Sequence, residues 1–278
     1  MAAGKVCSLG LYEKAMPDDI SMERKFEAGR AAGYDFLELS VDETDARRAR
    51  LAMPLSERLS LFSLSRRAGL PVGSICLSGN RKFPLGSMDD DKRGAGIKLI
   101  EDCIGFTSDI GARIIQVAGY DVTYGEPSIP STKERFMTAL AHCAAAAARE
   151  GVTLALETME NDFMNTAEKA MYYVRAVGSP YLQVYPDVGN VYNGADNPFY
   201  DLRTAERHIS AAHLKETTPG VFRNLMFGEG QVDFPQIVRL LKSMGVRRFN
   251  AEFWDNGEAD WEARLAQAHD FLRPLLED

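Results

Sequence analysis

The chain alternates short runs of strand-forming residues with amphipathic, helix-like segments from one end to the other, and this alternation constrains its fold most strongly. Eight such strand–helix units follow one another without a composition break or a low-complexity linker. Most of the predicted strands are continuous apolar runs, which are typical of a parallel sheet covered on both faces. These strands comprise residues 5–12, 34–41, 70–78, 112–119, 152–157, 182–187, 209–215 and 247–254.

Eight βα units in 278 residues predict an α/β protein with one domain, a closed (β/α)8 or TIM barrel that spans residues 1–278. A doubly wound open sheet is the alternative, but no G-x-G-x-x-G follows the first strand, which disfavours its dinucleotide-binding form. Ser131 and Glu134 have the spacing of a capping box at the start of one helix. The predicted helical segments are 21–33, 55–69, 91–111, 131–151, 166–178, a segment around 202–208, 233–245 and 260–276.

The composition, 45% apolar and 26% charged residues, is that of an ordinary soluble globular protein. A net charge of -8 argues against nucleic acid as the main partner, although a small anionic substrate stays compatible with it. The four cysteines have no CxxC spacing and are interpreted as buried, reduced thiols of a cytoplasmic protein. No apolar stretch of about 18 residues predicts a membrane span, and the N-terminus does not read as a signal peptide. A homodimer or homotetramer is compatible with these features.

Four residues with metal-binding side chains stand at the C-terminal ends of the last four predicted strands, where the active sites of such barrels lie. They are Glu157, Asp187, His213 and Glu252. Three carboxylates and an imidazole that converge on one point raise one another's pKa values unless a cation lies between them. This set of oxygen and nitrogen ligands therefore predicts one divalent metal ion, Mn²⁺, Zn²⁺, Co²⁺ or Mg²⁺.

Each of these residues also has a simpler interpretation. Asp187 follows Pro186 in a Gly/Asn-rich loop and could be a turn-forming aspartate. His213 could be a core histidine, whereas Glu157, which ends the apolar strand "VTLALE", is costly to bury without a partner. The joint arrangement, with one ligand on each consecutive strand, favours the metal site over four separate structural roles.

Further polar residues lie near the ends of predicted strands, and some are expected to line a substrate pocket. Lys215, Arg223 and "FGEG" (227–230) could form an anion site near strand seven, or else belong to a solvated loop. The acidic run 89–93 is interpreted as the first turn of a helix, where the helix dipole favours negative charge. In the first half of the chain the pocket candidates are Glu13, Lys14, Glu38, Ser40, Ser78, Asn80, Arg81, Tyr120 and Asp121.

Several segments resemble the L-ribulose-5-phosphate 3-epimerase (L-xylulose-5-phosphate 3-epimerase) family of the xylose-isomerase-like TIM barrels. They are "GLYEKA", "SVDETD", "CLSGNRKFPLGS", "VAGYDV", "TLALE", "YPDVGN", "HLKETTPGVF" and "FGEGQVDF", spread over nearly the whole chain. The resemblance implies a metal held by the same four residues that the strand ends select. It also implies an enzyme, a carbohydrate epimerase that interconverts L-xylulose 5-phosphate and L-ribulose 5-phosphate.

By analogy with related ketose 3-epimerases, the resemblance implies a 1,1-proton transfer. The metal would bind the C2 carbonyl and C3 hydroxyl oxygens, and one glutamate, Glu157 or Glu252, would take the C3 proton to give a metal-stabilised cis-enediolate. The other glutamate would return a proton on the opposite face. Related epimerases often carry a histidine where this chain has Asn190, three residues after the metal aspartate. The residues expected to contact the substrate are Asn190, Lys215, Arg223, Ser78 and Glu13.

Other functions on the same scaffold are less compatible with the sequence. A metal-dependent endonuclease for abasic DNA uses a histidine-rich trinuclear cluster, but this chain has four histidines, and His142 and His269 lie in predicted helices. The closer alternatives are an aldose–ketose isomerase and a 3-epimerase of an unphosphorylated ketose or a hydroxypyruvate-type substrate. A sugar-binding barrel without turnover would require Glu157 and Glu252 to point away from the cavity.

Overall fold

Eight parallel strands form the centre of the protein, which is seen in a computed structural model that describes residues 7–277. Lys5 and Val6, the first residues of the first predicted strand, lie outside the described residues. The strands pair in the order β6-β5-β4-β3-β2-β1-β8-β7, so β8 returns to pair with β1. They are β1 (Ser8–Tyr12), β2 (Phe36–Val41), β3 (Val72–Leu77), β4 (Ile114–Ala118), β5 (Thr153–Glu157), β6 (Leu182–Tyr185), β7 (Ala212–Leu214) and β8 (Arg248–Ala251).

A short series of backbone hydrogen bonds joins β6 to β7 and nearly closes the barrel. The N–H of Val184 donates to the carbonyl of His208 at 2.7 Å, and the carbonyl of Val184 accepts from Ser210 at 3.1 Å. Further up, the N–H of His213 donates to the carbonyl of Pro186 at 3.0 Å. The single TIM-barrel fold predicted from the βα repeat is therefore confirmed, and the open-sheet alternative is wrong.

Helices cover the outside of the barrel, and most begin and end near the predicted positions. Ser21 caps α1, because its hydroxyl accepts from the N–H of Arg24 at 3.2 Å. Asp89 caps α4 in the same way, and the acidic run 89–93 lies at the start of this helix, as predicted. The helices are α1 (Met22–Ala31), α2 (Asp45–Arg48), α3 (Leu55–Arg67), α4 (Asp90–Asp109), α5 (Pro130–Glu150), α6 (Ala167–Val177), α7 (Val188–Gly194), α8 (Pro198–Thr204), α9 (Phe234–Ser243) and α10 (Trp261–Glu277).

Several helix starts differ from the sequence prediction, those of α5 and α7 among them. The predicted capping box of Ser131 and Glu134 is wrong, because α5 begins earlier, at Pro130, whose fixed φ suits a first helical turn. The side chain that closes this turn is Thr132, whose hydroxyl accepts from the N–H of Ile129 at 3.0 Å. After β6, the Gly/Asn-rich segment predicted as a loop forms the short helix α7 instead.

The strands are buried on both faces, as their apolar runs predicted. All six residues of β2 are buried, and the four cysteines are buried and free. On the outside, Phe136 of α5 packs edge-on against Phe163 and Tyr173 with ring centroids 5.0 Å apart. None of the helices within residues 7–277 has both the length and the apolar character needed to cross a membrane. This frame fixes the C-terminal strand ends along one rim of the barrel.

Candidate metal centre and active site

The C-terminal ends of β5 to β8 bring four buried metal-binding side chains together. Glu157 is the last residue of β5, Asp187 stands two residues beyond β6, His213 lies within β7, and Glu252 directly follows β8. One potential ligand atom of each lies within 4.8 Å of those of the others. These are the four residues that the sequence selected, so the strand-end argument placed them on the correct side of the barrel.

The imidazole of His213 lies between two carboxylates of the cluster on one side and the carboxylate of Glu38 on the other. Its Nδ1 lies 2.8 Å from Oε1 of Glu157 and 3.1 Å from Oε2 of Glu252. Its Nε2 lies 2.6 Å from Oε1 of Glu38, a wholly buried residue of β2 on the far side of the barrel. Burial lowers the pKa of His213, but the carboxylates of Glu252 and Glu38 outweigh it and raise the pKa well above its ordinary value. Nδ1 is thus the ring atom that faces Glu157 and Glu252.

Glu38 is fixed by three further hydrogen bonds from neighbouring strands. Ser74 and Tyr185 donate to its Oε2 at 2.6 and 2.9 Å, and Asn250 donates to its Oε1 at 2.6 Å. The sequence grouped Glu38 with the residues at strand ends, but it lies in the middle of β2, one level below the cluster. The signal for its role was a lone carboxylate inside the apolar strand "FLELSV".

Asp187 uses its two carboxylate oxygens differently. Oδ1 accepts from the N–H groups of Gly189 and Asn190 at 2.9 and 3.3 Å and so caps α7. Oδ2 is paired with the ammonium of Lys215 and makes no hydrogen bond of good geometry. The turn-forming and metal-binding interpretations of Asp187 are therefore compatible, because each concerns a different oxygen atom.

A glycine lets α7 start directly against β7. A Cβ at Gly189 would lie 2.6 Å from the methyl group of Thr217 and 2.8 Å from the carbonyl oxygen of Lys215. No side chain larger than hydrogen fits there without displacing the backbone. The close contact holds the capped end of α7, and with it Asp187, beside the chain that leaves β7.

Lys215 belongs to the cluster itself rather than to a separate anion site near strand seven. Its ammonium pairs with Asp187, donates to Oδ1 of Asn190 at 2.8 Å and lies 3.9 Å from Oε2 of Glu252. Burial lowers its pKa, but the carboxylates of Asp187 and Glu252 raise it further, so the residue stays cationic. One permanent positive charge therefore offsets part of the negative charge of the cluster.

The remaining carboxylates are perturbed in opposite directions. Burial is the main cause that raises the pKa of Glu157, and it raises the pKa of Asp187 to about 7 despite the neighbouring ammonium of Lys215. Burial acts on Glu252 as well, but His213 and Lys215 outweigh it and lower the pKa of Glu252. These carboxylates are crowded into a space that excludes water, and each needs a positive charge nearby.

The donor atoms fit a divalent cation. Oδ2 of Asp187 and Oε2 of Glu252 are buried and have ion-pair contacts with Lys215 and His213 but no hydrogen bond of good geometry. Buried carboxylate oxygens in this condition are costly unless an ion or a ligand satisfies them. Glu157, Asp187, His213 and Glu252 could therefore hold a metal, with Glu38 behind the imidazole as a typical outer partner of a metal-bound histidine.

The other predicted substrate contacts have different surroundings. Asn190 is buried next to the cluster, where its amide donates to the carbonyl of Thr158 at 2.8 Å. Ser78 is buried just after β3, and Arg223 is exposed, with its guanidinium 5.3 Å from the ring centroid of Trp254. In the "FGEG" segment the N–H of Gly228 is bound at 2.8 Å by the carboxylate of Glu216. This N–H group is therefore already hydrogen-bonded to a carboxylate of the protein itself.

Glu13 lies in a network of buried ion pairs and not among the cluster residues. Its carboxylate receives hydrogen bonds from Arg50 at 2.5 and 2.6 Å and from Lys25 at 3.3 Å, and it lies 3.0 Å from Arg47. The backbone N–H of Ser40 donates to the same carboxylate at 2.8 Å. Although burial acts to raise it, the bonds from Arg50 and the nearby cations lower the pKa of Glu13 to about 2. Both oxygens are thus engaged within the protein.

Comparison with known proteins identifies the family and the fold of the chain. A sequence model of the xylose isomerase-like TIM barrel family matches residues 26–275. The L-ribulose-5-phosphate 3-epimerases UlaE of Salmonella paratyphi A and Escherichia coli O157:H7 are each 40% identical over 273 residues, 98% of this chain and 96% of each relative. A D-psicose 3-epimerase solved in the presence of D-fructose has a TM-score of 0.83 at 18% identity and covers 98% of this chain and all of its own. An L-ribulose 3-epimerase gives 0.82 at 21% identity, with 98% and 95% of the two chains covered. At these identities the two solved structures show a common fold alone.

Proposed function

We propose a reaction for this chain on the basis of its family, because it belongs to the L-ribulose-5-phosphate 3-epimerase family of the xylose isomerase-like TIM barrels. It is therefore an enzyme of the isomerase class. The proposed reaction is the metal-dependent interconversion of L-xylulose 5-phosphate and L-ribulose 5-phosphate, which inverts the configuration at C3. The observation that carries the proposal is the buried cluster of three carboxylates and one imidazole at four consecutive strand ends.

Glu157, Asp187, His213 and Glu252 would hold one divalent cation. When bound, such a cation polarises the C2 carbonyl of a ketose and thereby acidifies the proton on C3. The four donors are oxygens and one nitrogen, which suit Mn²⁺, Mg²⁺, Co²⁺ or Zn²⁺. The buried oxygens of Asp187 and Glu252, which have ion-pair contacts but no hydrogen bonds of good geometry, support this assignment.

Glu157 and Glu252 would have a second role, as the base and the acid of the reaction. The carboxylate of one glutamate, Glu157 or Glu252, takes the C3 proton of the ketose, and the C3–H electron pair moves into a planar cis-enediolate of the sugar. The carboxylic acid of the other glutamate gives its proton to the opposite face of C3. Asp187 and His213 stay as ligands, because Asp187 also caps α7 and His213 is held from behind by Glu38.

The assignment is tested by incubating each ketopentose 5-phosphate with the purified enzyme in ²H₂O and following the carbon-bound protons by NMR. Deuterium at C3, together with the appearance of the other epimer, is the expected result. Deuterium at C1 with formation of an aldose would instead show an aldose–ketose isomerase. Turnover of unphosphorylated L-ribulose in preference to its phosphate would reassign the substrate class and leave the epimerase chemistry in place.

A further inference from the structure

Gln116 is the polar residue in the middle of the otherwise apolar strand β4, and it is completely buried. It pairs with Ala155 of β5, two residues before Glu157. Side chains alternate along a strand, and residues paired across parallel strands face the same side, so Gln116 and Glu157 both point into the barrel. At a rise of about 3.3 Å per residue, the backbone of Gln116 lies roughly 7 Å below that of Glu157. Gln116 therefore lies one layer beneath the four metal-binding residues.

The side chain of Gln116 reaches the carboxylate of Glu157 from below. Its amide N–H₂ donates to Oε2 of Glu157, while Nδ1 of His213 lies 2.8 Å from Oε1. Both oxygens of Glu157 are thus in contact with polar groups from two other strands. Oε2 of Glu252 has ion-pair contacts with His213 and Lys215 at 3.1 and 3.9 Å, but no hydrogen bond of good geometry to any residue from 7 to 277. Glu157 is therefore the glutamate that an uncharged donor orients.

The carbonyl oxygen of the same amide has no partner. Oε1 of Gln116 is buried and accepts no hydrogen bond from any residue that the structure describes. A buried carbonyl in this condition costs free energy, and a methionine of similar size would fill the same space without that cost. Its neighbours along β4, Ile115 and Val117, are apolar. The presence of a glutamine at this position is therefore explained by the group that its N–H₂ binds, the carboxylate of Glu157.

An amide suits this position because it carries no charge. A lysine or arginine would bind Glu157 more strongly, but its positive charge would repel a divalent cation bound to the same carboxylate. The cluster already contains one such cation, the ammonium of Lys215, which pairs with Asp187. Gln116 instead fixes the direction of the carboxylate and leaves its negative charge available to a metal ion and to the C3 proton.

We infer that Gln116 is a positioning residue, which holds the carboxylate of Glu157 in the orientation needed for proton transfer at C3. This inference rests on the proposed function, because it concerns the alignment of one of the two proposed acid/base groups. With Oε2 held by Gln116, Oε1 stays turned towards His213. Without the amide the carboxylate would rotate out of line, and misplacement of a catalytic group by about 1 Å can cost a factor of about 100 in rate.

The test measures kcat and KM at saturating Mn²⁺ for Gln116→Met, whose side chain has a similar volume and no donor. We expect kcat to fall about 10- to 100-fold, the usual loss when such an outer partner is removed, and KM for L-ribulose 5-phosphate to change less than about threefold. Affinity for Mn²⁺, titrated calorimetrically in the metal-free protein, should change less than kcat because all four ligands remain. Gln116→Asn, whose amide is one methylene too short to reach Glu157, should change kcat in the same direction and serves if Gln116→Met folds poorly.

Proton exchange distinguishes the alignment of one glutamate from general damage to the site. Each ketopentose 5-phosphate is incubated with Gln116→Met in ²H₂O, and deuterium at C3 of the unconverted sugar is followed by NMR. Exchange should be slowed for the epimer whose C3 proton Glu157 takes, and should continue for the epimer served by Glu252. A merely structural loss would slow the exchange of both epimers by the same factor.

Gln183→Met is the matched control. Gln183 of β6 pairs with the same residue, Ala155, from its other side, so the same substitution is made at the same level of the barrel. Its amide donates to the carbonyl of Pro180 at 2.9 Å and not to Glu157. Its kcat and its C3 exchange should therefore match those of the wild type.

The outcomes separate this inference from the proposed function. A Gln116→Met variant with wild-type kcat, or with exchange slowed equally for both epimers, would overturn the positioning role and leave the epimerase intact. A fall in Mn²⁺ affinity as large as the fall in kcat would also overturn it, because Gln116 would then act on metal binding. A wild type that exchanges protons at C1 and forms an aldose would overturn the proposed function, and with it this inference.

Discussion

Nε2 of His213 lies 2.6 Å from Oε1 of Glu38, and both side chains are completely buried. Glu38 comes from β2 and His213 from β7, so the contact crosses the interior of the barrel. Glu38 can accept from Nε2–H, and in the neutral imidazole this arrangement leaves Nδ1 unprotonated and available to a cation. The imidazole is thereby aimed at Glu157 and Glu252 before any ion is bound.

Glu38→Gln should weaken metal binding without moving the four ligands. The amide can still accept from the imidazole, but it lacks the charge that makes the histidine a stronger ligand, so affinity for Mn²⁺ should fall about 10- to 100-fold. Isothermal titration of the metal-free protein measures this directly. Tyr185→Phe removes a single donor to Glu38 and should have a smaller effect. Equal affinity in Glu38→Gln and wild type would contradict the positioning role.

Glu157→Gln should abolish epimerisation while the fold is retained. Loss of one acid/base group is expected to lower kcat about 100- to 10,000-fold. If the two glutamates serve opposite faces, Glu252 should still exchange the C3 proton of one epimer with ²H₂O in this variant. Glu134→Gln, an exposed site on α5, is the control. A kcat above about a tenth of the wild-type value would lie outside the expected loss of about 100- to 10,000-fold and would rule out the acid/base role.

Metal removal should inactivate the enzyme and lower its thermal stability together. Dialysis against a chelator leaves crowded buried carboxylates, and a ligand that binds the native state alone raises the melting temperature when it is restored. Elemental analysis should give about one equivalent of divalent ion per chain, as for a single four-ligand site. Calorimetry with added Mn²⁺ provides a readout independent of activity. Protein that carries no divalent ion and gains neither activity nor stability from Mn²⁺ would contradict the site.

The ion-pair network of Glu13 should make stability depend on acid pH. Its pKa is lowered from 4.5 in an exposed glutamate to about 2 in the native protein. Its contribution is therefore complete above pH 4.5 and is lost as the pH falls from 4.5 through 2, at most about 3 kcal/mol for a shift of this size. Glu13→Gln should lower the free energy of unfolding at pH 7 and flatten its fall across this window.

Urea denaturation at a series of pH values measures that dependence. Glu168→Gln, an exposed glutamate of α6, should keep the wild-type slope. A Glu13→Gln variant with the wild-type slope between pH 4.5 and 2 would show that the network does not depend on this carboxylate.

Local patterns were sufficient for the fold because a βα repeat has few ways to bury its strands. Apolar runs predicted strands covered on both faces, and the position of Glu157 at the end of one such run predicted the level of the site. The same reasoning was wrong in segments whose local sequence suits more than one backbone conformation. The start of α5 shifted to Pro130, and the segment after Asp187 became a helix because its carboxylate caps it.

The sequence by itself determined the barrel and the four residues at the ends of β5 to β8, since strand order and strand ends follow from patterns of a few residues. Only the tertiary structure decided which other side chains contact these four residues. Glu38 is 175 residues from His213 along the chain, and no local pattern links them. The same holds for Lys215 against Asp187 and for Arg81 over Tyr120. These pairs depend on the direction in which each side chain points in the folded barrel. A buried charge is costly without a partner, and in this barrel the partner comes from a distant part of the chain.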